Sequence, residues 1–118
     1  MARNETESIR VDIAGTVFLA AGPPVPKIGN RQTGEVKTDR EGRTLYEVPV
    51  LKRDPDASRA ALITIAVAGE PDGVDMGVPL KVFGLIAYAW EIRENGTFRS
   101  GVSYRAESLT AAPVQAVA

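Results

Sequence analysis

Between Tyr88 and Arg105 the chain sets four aromatic side chains, Tyr88, Trp90, Phe98 and Tyr104, among three arginines, Arg93, Arg99 and Arg105. A flat ring offers its π-face to a base, and a guanidinium group binds a phosphate or stacks on a base itself. This mixture suits a single nucleic-acid strand. Arg99 is the first choice among the three arginines, because fewer acids lie near it in sequence. Further candidates lie upstream. Tyr46 and Phe83 occupy alternating apolar segments, while Lys52, Arg53 and Arg59 surround a charged turn that also holds Asp54 and Asp56. The candidate nucleic-acid contacts are therefore Tyr46, Lys52, Arg53, Arg59, Phe83, Trp90, Phe98, Arg99 and Arg105.

Each of these has a plainer reading. Tyr88 and Trp90 share parity with Leu80 and Val82, which suits the filling of a core or a subunit interface equally well. Glu91, Glu94 and Glu107 balance the arginines as in an ordinary solvated rim, and Asp54 and Asp56 do the same for the upstream turn. Lys37, Arg40 and Arg43 form another basic group, diluted by Asp39 and Glu41.

Composition narrows the chemistry. With no cysteine and no histidine, the chain lacks thiolate ligands, thiol nucleophiles and the side chain best suited to proton transfer near neutral pH. A non-catalytic role with no cofactor and no metal is expected. The pairs Asp54/Asp56 and Asp72/Asp75 match no calcium loop, and the glycines near Gly22 and Gly29 match no phosphate-binding pattern. A formal charge of −1 argues against a strongly basic, salt-driven binder. Residues 27–59 carry eight basic side chains against six acidic ones, a weak local excess. At 118 residues the chain is one domain, and no apolar run is long enough to cross a bilayer. Residues 1–8 lack the apolar middle of a signal peptide, so a cytoplasmic location without membrane contact is expected.

The elements that must position the candidates read as strands. Residues 9–19 alternate, with Gly15 marking a bend, and residues 44–51 and 60–68 alternate again around the charged turn. Residues 20–42 are rich in glycine and proline and form a long loop, with a short hairpin around 33–37. Breakers between Gly69 and Pro79 leave little room for a helix. Residues 78–92 are apolar on both parities, which implies cover on both sides or a face left for a ligand, and a bulge within them would swap the faces. Asn95-Gly96 is a hairpin turn leading to a last strand over 101–109. Residues 1–8 then read as a disordered terminus, 9–110 as the domain and 111–118 as a flexible tail.

Five strand segments without a helix suggest an all-β, five-stranded Greek-key barrel of the OB type. The glycine at 77, the apolar run from Val78 to Trp90 with Gly84 inside it, the turn Asn95-Gly96 and the segment Tyr104 to Leu109 resemble bacterial single-stranded DNA-binding proteins. The resemblance covers roughly the last 40 residues. It implies an OB-fold protein that coats single-stranded DNA with low sequence preference, as a homodimer or homotetramer, and it puts Trp90 in the place of the family's strand-end aromatic. The tail lacks the acidic, hydrophobic-tipped end of the family's housekeeping members. An accessory member serving mobile-element or plasmid DNA fits better. RNA stays open beside DNA, since stacking and phosphate contacts do not identify the 2′ position. The rival expectation is a barrel whose apolar outer face docks another protein without binding nucleic acid.

Overall fold

In the computed structural model, which describes residues 2–30 and 32–112, alternation produces strands throughout and no helix among the described residues. The strands are β1 (Ala2–Arg10), β2 (Val17–Ala20), β3 (Val25–Pro26), β4 (Ile28–Asn30), β5 (Glu35–Val36), β6 (Leu45–Arg53), β7 (Ala61–Ala68), β8 (Leu80–Phe83), β9 (Ile86–Glu94), β10 (Thr97–Arg105) and β11 (Ser108–Ala111). Six of them lie along one sheet in the order β1-β9-β10-β7-β6-β2, with β3 attached to β6 as a seventh. Two small sheets, β11-β8 and β4-β5, complete the fold.

The core comes from one face of the central strands. Val48 and Val50 of β6 and Ile65 and Val67 of β7 are buried with Phe18 and Ala20 of β2. The β8-β11 pair contributes Leu80, Val82 and Leu109 from the other side, joined by Leu85. Alternation is the reason, because successive side chains of a strand point to opposite faces and only one face meets the interior.

This arrangement overturns the expected barrel. β1 and β2 stand at opposite ends of the sheet order, so hydrogen bonding does not close into a ring, and among the described residues eleven strands in open sheets replace five in an OB barrel. The physical cause lies at residues 11–16. There the single first strand expected over 9–19 breaks. Gly15 adopts φ 75°, the amide of Thr16 donates to the carbonyl of Ile13, and the Asp12 carboxylate accepts the amide of Ala14. The two halves then serve different neighbours: β1 pairs with β9, and β2 pairs with β6.

Three other boundaries move. Residues 2–8, read from sequence as a disordered terminus, belong to β1. Ala111 ends β11, and the remainder of the expected tail, 113–118, lies outside the described residues. The apolar run 78–92 is two strands, because Gly84 turns the backbone at φ 68°. The hairpin expected around 33–37 forms as β4-β5.

Candidate nucleic-acid interface

The Gly84 turn decides where the aromatics go. Leu80 and Val82 point into the core, and beyond the turn it is Leu85 that does so, at 2% exposure. Parity is thereby shifted by one residue. Tyr88 and Trp90, which share the parity of Leu80 and Val82 in sequence, emerge on the outer face instead. Leu85 belongs to the buried core.

Beyond their junction with the body, β1, β9 and β10 form a three-stranded ribbon. Asn95 and Gly96 close its tip with φ values of 50° and 76°, the left-handed pair that a two-residue hairpin turn requires. Antiparallel partners share a face. The register of β9 with β10 sets Ile86 beside Arg105, Tyr88 beside Ser103, Trp90 beside Gly101 and Ile92 beside Arg99 on the outer face. The other face carries Phe98 beside Arg93 and Val102 beside Ala89. Of the nine candidate contacts, the fold thus gathers Trp90, Arg99 and Arg105 on one surface, with Tyr88 between them.

The remaining six are placed elsewhere. Tyr46 packs against the core from β6. Phe98 lies on the opposite face of the ribbon, its ring 5.1 Å from the Arg93 guanidinium carbon. Phe83 is exposed on the separate β8-β11 sheet. Lys52 is held by Asp54 at 2.7 Å with its side chain only 12% exposed, and Arg53 Nε donates to the Ala57 carbonyl at 3.4 Å. Arg59 is exposed in the loop that follows.

Strand direction relates these sets. β7 and β10 run parallel but pair over only two positions, Tyr104 with Ile65 and Arg105 with Ala66. From that junction the β6-β7 and β9-β10 hairpins diverge in the same general direction. A groove of 290 Å³ opens between them, lined by Lys27, Glu47, Leu62, Thr64, Tyr88 and Ser103 among others. The basic turn at 52–59 stands toward the end of one hairpin, and Arg99 stands toward the end of the other.

Among the described residues, no carboxylate forms an ion pair with Arg99 or Arg105. Arg10 joins the same face, because its register partner Ile86 also pairs with Arg105. Neither Arg10 nor the groove residues Lys27 and Ser103 was singled out in the sequence. Their neighbours come from distant strands, and no local spacing signals them. Among the described residues, no three carboxylates gather as a metal site would need.

No protein-family model, curated protein or solved structure matches this chain. The resemblance drawn from residues 77–109 therefore assigns no family. Open sheets without a closed ring overturn its OB-fold and barrel implications, and neither the fold nor the comparisons are evidence for a single-stranded DNA-binding protein of that kind.

Proposed function

We propose that this protein binds a single nucleic-acid strand, without catalysis and with little sequence preference, along the outer face of β9 and β10 and the groove beside it. The observation that carries this reading is the shared face of Tyr88, Trp90, Arg99 and Arg105, given by the β9-β10 register. Rings on that face stack on bases, each stack contributing about 1–3 kcal/mol, and the arginines meet phosphates. DNA and RNA both satisfy this chemistry, and a cytoplasmic location accompanies it. No helix among the described residues is long and apolar enough to cross a membrane.

Titration of fluorescent oligothymidine and oligouridine against the protein at low salt tests the reading, with Trp90→Ala as the diagnostic variant. Loss of one stack weakens binding by roughly 5- to 160-fold. Absence of measurable affinity in the parent protein for either oligonucleotide at about 50 mM salt, where phosphate contacts are strongest, sinks it.

A second reading concerns the opposite face, where Ile9, Phe98 and Val102 are 58%, 55% and 56% exposed. Apolar exposure concentrated on one side of a ribbon favours a protein contact, and we assign that side to self-association into a dimer or tetramer. Sedimentation equilibrium of the parent and of Val102→Lys tests it. A monomeric parent at about 100 µM, well above common dissociation constants, counts against it.

A further inference from the structure

We infer that Arg43 and Arg105 form a binding site for a phosphate monoester at the junction of the ribbon with the body of the protein. Arg43 and Arg105 both line a cavity of 250 Å³ together with Ala68, Ile86, Ala106 and Glu107. The same two arginines line an adjoining cavity of 500 Å³ that also holds Lys37 and Arg40 along with the carboxylates Asp39 and Glu41. Arg43 and Arg105 therefore border both spaces. Arg10 shares a face with Arg105, since both flank Ile86 across adjacent strands, but it lines neither cavity.

Arg43 is fixed before any ligand arrives. Asp39 accepts its backbone amide at 2.9 Å through one oxygen, and its Nε and Nη2 at 2.9 Å through the other. Glu41 lies 3.3 Å from the same Nη2. These carboxylates take one side of the guanidinium fork. The donors of its other nitrogen remain for a ligand, in the manner of an oriented anion-binding arginine. Arg105 is half-buried and pairs with no carboxylate among the described residues. The two guanidinium groups bordering both spaces, with Lys37 and Arg40 beside the second, offer charged donors to an anion. A phosphate monoester carries up to two charges and several acceptor oxygens, which match convergent arginines better than the single charge of an internal phosphodiester does.

The inference deepens the nucleic-acid reading, because Arg105 lies on the same face as Trp90, so the monoester there is a strand's terminal phosphate. The chemistry also accommodates a small phosphorylated molecule, and the experiment separates these sources. Inorganic phosphate is titrated by calorimetry at fixed ionic strength in sodium chloride, against the parent, Arg105→Gln and Arg43→Gln, with circular dichroism melts verifying the fold of each. Oligothymidines with a 5′-phosphate, a 3′-phosphate and no terminal phosphate are then compared.

Saturable phosphate binding in the parent, weakened at least about tenfold in Arg105→Gln, supports the site, because a charged hydrogen bond of this kind is worth about that factor or more. Tighter binding of one phosphorylated oligonucleotide, lost in the same variant, identifies the strand end as its source. Phosphate binding with no such preference identifies a small phosphorylated ligand. Should no oligonucleotide bind while inorganic phosphate does, the strand reading fails and the anion site stands. A parent that binds phosphate no more tightly than Arg105→Gln does overturns the inference.

Discussion

The indole ring of Trp90 lies across Gly101 on the neighbouring strand, so closely that a Cβ built at residue 101 would come within 2.6 Å of Cζ2 and 3.0 Å of Cε2. A strand glycine normally leaves a gap, and here the cross-strand ring fills it. The consequence is a ring whose position depends on the missing side chain at residue 101.

Gly101→Ala displaces that ring. Overpacking of this kind costs about 1–3 kcal/mol when the neighbour cannot yield, and less where the side chain swings outward. We expect a lower denaturant midpoint and a shifted emission spectrum, which the single tryptophan of the chain reports without interference. Oligonucleotide affinity falls with it. An unchanged spectrum and midpoint would show that the ring is not held as described.

Gly84→Ala tests the turn that reverses the faces. Its φ of 68° already disfavours a side chain, by about 1–2 kcal/mol, and the added methyl meets Glu107 Cγ at 2.7 Å. Gly77 has φ 84° with nothing within 4 Å of its missing Cβ, so Gly77→Ala isolates the backbone strain. Thermal melts should show Gly84→Ala as the more destabilised of the two.

Acid should loosen the basic turn. The hydrogen bond from Lys52 leads in holding Asp54 below its ordinary value of 3.8, opposed by desolvation and reinforced by the Lys52 charge and the Thr16 hydroxyl. A carboxylate with a depressed pKa stabilises the fold at pH values above the ordinary one and loses that contribution as pH falls through the depressed value. Melting temperature followed downward from neutral pH should therefore drop more below about pH 4 in the parent than in Asp54→Asn.

The salt dependence of strand binding should single out particular cations. Removing one phosphate-contacting arginine lowers the slope of log affinity against log salt by about 1. Arg99→Ala and Arg105→Ala should each do so, whereas Lys52→Ala should leave the slope nearly unchanged because Asp54 already holds its ammonium group. A fluorescence titration series in sodium chloride measures all three.

Much of the local structure is legible from residue order alone. Alternation marks β6 and β7, Asn95-Gly96 marks the hairpin, and the glycines and prolines of 69–79 exclude a helix, because backbone preference and period-two burial are local properties. The same alternation says nothing about which strand pairs with which, nor about what happens past a glycine of positive φ. One such residue, Gly84, shifts the parity of everything after it, so the face of Tyr88 and Trp90 was undecidable from their spacing to Leu80 and Val82. The break at Gly15 likewise separates β1 from β2 and leaves the sheet open where five segments suggested a closed barrel. Tertiary pairing alone sets Arg105 of β10 near Arg43 of a distant loop and beside the register partner of Arg10, since strand neighbours are chosen by the packing of a shared core and not by distance along the chain.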